Sequence, residues 1–130
     1  MLIRSLLLAG LMAAATLSPA HAEDEAGGAI KTRDTGKGEV LTDAKGMTLY
    51  TFDKDTGGTS ACDGDCAKKW PPLLAAKGAK DDGEFTLVKR KDGKQQWAHE
   101  GSPLYLWIND KKPGDTTGDG VGGVWHVAKD

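Results

Sequence analysis

The chain lacks the excess of basic residues that is typical of proteins that bind nucleic acid or dock on anionic lipid. Its 17 lysines and arginines nearly balance 19 aspartates and glutamates, and the signs alternate without a basic block. This charge pattern argues against a nucleic-acid partner and against electrostatic docking on anionic membranes. A function outside both classes is therefore expected.

Enzyme signatures are also scarce. The sequence has no G-x-S-x-G motif and no cysteine paired with a histidine in a fitting context. Its many aspartates fall in loops, and Ser60 and Ser102 have no plausible base nearby in the sequence. Because nucleophilic catalysis needs a nucleophile beside an oriented base, we expect that the protein is not an enzyme.

The first 22 residues have the pattern of a secretory signal peptide. Arg4 precedes the apolar run LLLAGLMAAATL, and Ala20 and Ala22 stand at the small-residue positions of a cleavage site. The run is too short to span a membrane, and no cysteine that could accept a lipid stands near the cleavage site. We predict cleavage near Ala22, no membrane span or lipid anchor, and a mature protein in the periplasm or outside the cell.

The remainder is the size of one small domain. Residues 23–38 are polar and glycine-rich, which predicts a flexible lead-in with residues 29–32 laid along an edge. We place a single domain at residues 39–130. Its β-branched and aromatic runs are separated by the turn sequences DAKG, KDGK and HEGS, which predict three hairpins. GVWHVAKD predicts a last strand, and the only predicted helix is a short one at Asp65–Lys69, ended by two prolines. The fold class is therefore mostly β.

One ten-residue sequence motif, the phrase, occurs twice. GMTLYTFDKD at residues 46–55 and GSPLYLWIND at residues 101–110 share a glycine, Leu-Tyr, an aromatic residue and an aspartate at a shift of 55, and Trp70 maps to Trp125. We predict two hairpin repeat units, at about 39–79 and 92–130, packed about a pseudo-twofold axis around one shared core. The repeated motif residues are Tyr50, Phe52, Asp55, Tyr105, Trp107 and Asp110.

Strand alternation gives the phrase two faces. Tyr50 and Phe52 should point to one face and Leu49 to the other. A buried tyrosine hydroxyl needs a partner, and Asp55 or Asp110 just past the strand is a candidate acceptor. Trp97 maps to Thr42 and has no aromatic counterpart, so we predict that it is the most exposed of the aromatic side chains.

These residues resemble a family of bacterial secreted repeats, described as predicted lipoproteins with a Y-x-(F/W/Y)-x-x-D motif. The resemblance rests on LYTFDKD, LYLWIND, the C-x-x-x-C before WPPL, and PGDTTGDGVGGVWHVA, and it covers roughly residues 39–128. It implies an exported small repeat domain whose biochemical role is not established. Since the lipid-acceptor cysteine is missing, membrane anchoring does not carry over.

The two cysteines allow different interpretations. In an oxidising compartment, Cys62 and Cys66 predict a local disulfide that fixes an acidic loop. The alternative is a copper or redox site, because soft thiolates select Cu(I) and either His99 or His126 would supply a third ligand. Thiol exchange is less favoured, since Asp63 and Asp65 would raise the thiol pKa.

A second loop suggests calcium. Asp115, Thr117 and Asp119 fall at positions 1, 3 and 5 of an EF-hand-like loop, but position 12 is His126 rather than glutamate. The alternative is a turn cluster whose side chains satisfy loop amides. His99 lies in a hairpin turn and is predicted to be exposed.

The sequence thus favours a non-catalytic binding or accessory module of the cell envelope. Its partner would be an envelope protein or a small ligand, with an aromatic cleft between the repeats as one possible site. Its chemistry should lie in the loops at 55–66 and 110–123. The second hypothesis is a periplasmic copper-handling or redox accessory protein that uses Cys62 and Cys66.

Overall fold

The structure is a computed structural model that describes residues 24–130, so the predicted signal peptide lies outside the described residues. The described chain is mostly β, as predicted, and its one α-helix is α1, Asp65–Lys69. Short 3-10 turns lie at Ala26–Gly28 and Val121–Gly123. The seven strands are β1 Ile30–Thr35, β2 Gly38–Asp43, β3 Tyr50–Phe52, β4 Phe85–Lys89, β5 Gln95–His99, β6 Ser102–Pro103 and β7 Trp125–Val127.

The strands form three small antiparallel sheets, β1–β2, β3–β7 and β4–β5–β6. The prediction of a flexible lead-in up to residue 38 is wrong over its second half, because β1 pairs with β2 from Ile30↔Asp43 to Thr35↔Gly38. Ile30 is fully buried. A single isoleucine in a polar stretch gave a weak signal, yet it anchors the strand in the core.

All three predicted turns occur. Gly46 adopts φ 89° in the DAKG turn, and the Gly46 amide donates to the Asp43 carbonyl. KDGK joins β4 to β5, and HEGS joins β5 to β6. The first hairpin is short, however, because beyond the Thr42↔Thr48 bridge the chain leaves β2 and β3 pairs with β7 instead.

The two copies of the repeated phrase meet at the centre of the molecule. Tyr50 and Tyr105 form an antiparallel bridge in which each amide donates to the other carbonyl, at N–O distances of 2.8 and 2.9 Å. Flanking bonds repeat the symmetry, since the Ala128 amide donates to Leu49 and the Leu73 amide donates to Leu104. The predicted pseudo-twofold relation is therefore present, and its axis passes through this bridge.

Two hydrophobic clusters replace the single predicted core. On one side, Leu49 and Leu104 pack with mainly aliphatic side chains from both units. On the other, Tyr50 and Tyr105 pack with Trp70, Trp125 and Cys62. The alternation of the two phrases explains the division, because adjacent residues of a strand point to opposite faces.

Trp97 is buried, with 2% of its surface exposed, so the prediction that it is exposed is wrong. Its spatial counterpart is Leu41 rather than Thr42, since the Leu49 amide donates to Leu41 and the Leu104 amide donates to Trp97. The shift is 56 at Trp97 and 55 at the phrase, because seven residues lie between Leu41 and Leu49 whereas six lie between Trp97 and Leu104. The local length change moved Trp97 from the outer face to the inner one.

No helix within residues 24–130 is long and apolar enough to cross a membrane.

Candidate functional site

The centre of the molecule holds two exchanged tyrosine–aspartate pairs. The Tyr50 hydroxyl donates to Asp110 Oδ2 at 2.7 Å, and the Tyr105 hydroxyl donates to Asp55 Oδ2 at 2.7 Å. Each aspartate therefore accepts from the tyrosine of the other unit, not from the tyrosine of its own phrase. Burial is the main cause that raises the pKa of both phenols well above the ordinary value, and the acceptor carboxylates raise it further. Both hydroxyls are protonated donors at physiological pH.

A column of four aromatic rings lies beside these pairs. Trp70 and Trp125 stack at the middle, with ring centroids 3.8 Å apart and an interplanar angle of 2°. Trp107 stacks on Trp70 at 4.0 Å, and Phe52 stacks on Trp125 at 4.1 Å. The shift of 55 exchanges Trp70 with Trp125 and Phe52 with Trp107, so the column obeys the pseudo-twofold symmetry and the axis passes between its two inner rings. Only its ends are partly exposed. The predicted aromatic cleft is thus filled by the rings themselves.

The first loop is held by a polar network and by the disulfide. Ser60 Oγ lies 2.6 Å from the Tyr105 hydroxyl and accepts from Arg90 Nη1 at 3.0 Å. Arg90 also donates to the side chain of Gln96 at 2.8 Å and to the Cys62 carbonyl at 2.8 Å. Asp55 Oδ1 accepts the Ala61 amide. Burial raises the pKa of Asp55, and the hydrogen bonds from the loop and from Tyr105 oppose that shift.

Cys62 and Cys66 form the predicted disulfide. Cys62 is fully buried among the aromatic rings. The Cys66 carbonyl accepts the amide of Trp70 at the end of α1. No thiolate is available in this state, and the bonded pair does not join His99 in a cluster within the described residues. The copper hypothesis based on Cys62, Cys66 and His99 therefore finds no support in the geometry.

The second loop is held by its backbone. Asp110 Oδ1 accepts from both the amide and the hydroxyl of Thr117, at 2.9 and 2.6 Å. The Gly118 amide donates to the Tyr50 hydroxyl at 3.1 Å. A Cβ on Gly118 would lie 2.9 Å from the Trp70 and Tyr50 rings. Glycine is needed here for close approach to the rings.

The predicted calcium ligands do not converge. Asp115 Oδ2 accepts the amides of Lys111 and Lys112, whereas Asp119 Oδ1 accepts the Val127 amide and Oδ2 faces Lys37 Nζ at 3.4 Å. These backbone hydrogen bonds are the main reason that the pKa of each carboxyl is lowered. Thr117 donates to Asp110, and His126 pairs with Asp53 Oδ2 at 2.8 Å. The arrangement corresponds to the alternative interpretation, in which the side chains hold loop amides.

His99 is buried, so the prediction that it is exposed is wrong. It ends β5 opposite Phe85, and its ring packs against the phenyl ring with centroids 4.8 Å apart. Its Nε2 lies 2.7 Å from Glu84 Oε1. The sequence placed His99 in a turn, but the register of β4 with β5 carries it inward beside an acidic residue.

Sequence reasoning missed Arg90, Gln96 and Glu84 as structural partners. Arg90 and Gln96 are buried polar residues on either side of the KDGK turn. A buried cation is recognisable only once its acceptors are known, and these come from a loop about 30 residues earlier. The β5 sequence, QQWAH, does not alternate between polar and apolar residues, so it gives no signal that Gln96 is buried.

The fold and the exchanged pairs define a pseudo-symmetric β domain built from two interlocked repeats. A family described as a secreted repeat of unknown function matches residues 31–74 and again residues 86–129, and these segments are themselves displaced by 55. The chain belongs to this family. Each matched repeat starts before the unit boundary that we predicted, at 39 and 92, because β1 and β4 belong to the units. No curated protein and no solved structure matches the chain.

Proposed function

We propose that this protein is a non-catalytic binding module of the cell envelope, located in the periplasm or outside the cell after signal-peptide cleavage. Membership of a secreted family supports export. The central hydroxyls and carboxylates support the absence of catalysis, because each one is engaged in holding a loop. The partners of Ser60 are Tyr105, Arg90 and Cys62, and none of them is an imidazole or a carboxylate base.

The observation that carries the binding proposal is an open groove on the side of the molecule that holds the mainly aliphatic cluster. It consists of two adjoining depressions of about 500 and about 320 Å³ that share Ala76 and Lys77. Alanine and glycine contribute many of the lining residues, and Trp97 lines the larger depression. Leu74 lines the smaller depression and is 43% exposed. A shallow, elongated surface of this kind suits an extended chain rather than a compact small molecule.

The charge of the groove indicates which class of peptide segment it would bind. Lys77, Lys80 and Lys94 line the groove, and none of them forms an ion pair within residues 24–130. The one lining carboxylate, Asp82, is engaged because its Oδ2 accepts the Ala26 amide at 2.9 Å. We therefore propose that the groove binds an extended acidic segment of an envelope protein, with Leu74 as an apolar contact.

Peptide titration tests this function. We expect a hexaglutamate peptide to shift the amide NMR signals of residues 74–80 and 93–95, whereas a hexaserine peptide should not. The variant Lys77→Glu/Lys80→Glu should weaken binding at least about tenfold at low salt. The matched variant Lys45→Glu/Lys54→Glu changes two exposed lysines away from the groove and should bind normally. Equal binding by both variants, or shifts elsewhere on the surface, would refute the proposal.

The alternative of a copper-handling or redox accessory protein has less support. Its cysteines are joined, and one of them is enclosed by the aromatic column. A count of free thiols in native protein separates the two functions. The binding module predicts none, and two titratable thiols would favour the alternative.

A further inference from the structure

A buried histidine and three carboxylates converge at one end of the β4–β5–β6 sheet. Glu84 directly precedes β4, His99 ends β5, and Glu100 follows in the tight turn to β6. The possible ligand atoms of these three residues all lie within 4.8 Å of one another, and they are the one such group within residues 24–130. Asp130 joins them, with its Oδ1 3.5 Å from His99 Nε2.

The cluster is held in place before any ligand arrives. The His99 ring is 5% exposed and packs against Phe85, which fixes its plane. Glu100 has φ 50°, a left-handed conformation that is rare for residues other than glycine. Its amide donates to the Glu84 carbonyl at 2.9 Å, so the two glutamates are tied together through the backbone. Such preorganisation lowers the cost of binding an ion.

The charges of the cluster lack a cationic partner. No lysine or arginine within the described part of the chain forms an ion pair with Glu84, Glu100 or Asp130. Three carboxylates therefore face one imidazole. A divalent cation would balance this charge, and imidazole with carboxylate oxygens is a ligand set that suits zinc and its neighbours.

We propose that His99, Glu84, Glu100 and Asp130 bind a divalent transition-metal ion of the Zn²⁺ class. The Glu84 and Asp130 side chains are 48% and 41% exposed, so the ion can enter from solvent and one coordination position can remain open. The site does not involve the cysteines. It also goes beyond the proposed peptide groove, and neither proposal depends on the other.

The first repeat shows that the fold does not need this cluster. The strand register places Ala29, Asp43 and Ala44 at the positions of Glu84, His99 and Glu100, because Ile30 pairs with Asp43 as Phe85 pairs with His99. The shift of 55 places Ala75 at the position of Asp130. The three alanines cannot bind a metal, and Asp43 Oδ1 accepts the amides of Lys45 and Met47. The corresponding sheet end is built with one carboxylate and no imidazole, so the histidine and the carboxylates of the second repeat are not explained by folding alone.

Calorimetric titration of untagged protein with ZnCl₂, after removal of the signal peptide, tests the site. We expect one ion per chain and a rise in Tm with added zinc, because an ion that binds the native state stabilises it. Glu84→Gln/Glu100→Gln should weaken binding at least about tenfold. His99→Gln should weaken it at least as much, and Co²⁺ absorption in the wild type should report nitrogen and oxygen ligands.

His126→Gln is the matched control. His126 is the other imidazole of the described chain that pairs with a carboxylate, but Asp53 is its one acidic partner. This variant should bind zinc like the wild type. The glutamine pair at positions 84 and 100 keeps the side-chain size, and its circular dichroism spectrum and metal-free Tm establish that it is folded. Absence of wild-type binding at millimolar zinc, unchanged binding by the folded glutamine variant, or loss of binding in His126→Gln would each overturn the proposal.

Discussion

The two loops hold equivalent tyrosine–aspartate pairs through different interactions. In the first loop, the Asp55–Tyr105 pair is surrounded by Ser60, Arg90 and a disulfide. In the second loop, the Asp110–Tyr50 pair is surrounded by loop amides and by a glycine pressed against the rings. The shared phrase thus determines the core, whereas each loop is free to use its own chemistry. Four measurements can break or sharpen this contrast.

The largest effect is expected for Gly118→Ala. Its Cβ would meet the Trp70 and Tyr50 rings at 2.9 Å and Trp107 at 3.0 Å, so the loop or the column must shift. Overpacking of this kind costs about 3 kcal/mol in the free energy of unfolding. Gly36→Ala is the control, because a Cβ there meets nothing within 4 Å and the backbone is not left-handed. Urea unfolding of both variants gives the comparison, and equal stabilities would show that the second loop does not depend on close approach.

The two tyrosine hydroxyls should contribute different amounts to the free energy of unfolding. Tyr50→Phe leaves Asp110, which is 6% exposed, without one donor and also removes the acceptor of the Gly118 amide. We expect a loss of between about 2 and 3 kcal/mol, since a hydrogen bond to a buried charge is worth more than a neutral one. Tyr105→Phe should cost less, about 1 kcal/mol, because Asp55 is half-buried and regains water. A larger loss in Tyr105→Phe would reverse the contrast.

The disulfide should matter only to the first loop. Cys62→Ala/Cys66→Ala opens a short ring, and the chain-entropy model gives a loss of about 2 kcal/mol. Hydrogen exchange should become faster in residues 55–66 and remain unchanged in residues 110–123. Faster exchange in both loops would indicate that the disulfide also stabilises the second loop, through the aromatic column.

The smallest effect is expected from acid, which should change the stability contributions of Asp55 and Asp119 in opposite directions. The pKa of Asp55 is raised in the fold, so its favourable contribution is present below its ordinary value of about 4 and is lost as pH rises through the folded pKa. The pKa of Asp119 is lowered, so its contribution is present above about 4 and is lost as pH falls through the folded pKa. From pH 6 to pH 3, the wild type should gain stability relative to Asp55→Asn and lose it relative to Asp119→Asn. Denaturant unfolding at each pH measures both signs.

The sequence predicted the local elements well. Asp65–Lys69 is helical over the predicted residues, and the three turn sequences form turns, because glycine placement and proline act over a few residues. The repeat and the disulfide were also predicted, since a shift of 55 and two cysteines in an exported chain leave few alternatives.

Long-range placement could not be predicted to the same degree. Burial of Trp97 depends on a one-residue difference between two turns, which a fixed shift cannot reveal. The exchange of aspartates between the units was not distinguishable from pairing within each phrase, because both assignments put a carboxylate near a strand end. His99 was misplaced for a related reason, since its neighbour Glu84 directly precedes another strand, β4.

The exchanged aspartates make each repeat dependent on the other for folding. An isolated repeat would carry a tyrosine whose acceptor lies on another chain, together with two aromatic rings whose stacking partners lie there as well. Its natural complement is a second copy of itself, joined through an isologous interface with the Tyr–Tyr bridge on the dyad. Folding of such a half-molecule would depend on its concentration, whereas the covalent link between the repeats makes the same interface intramolecular.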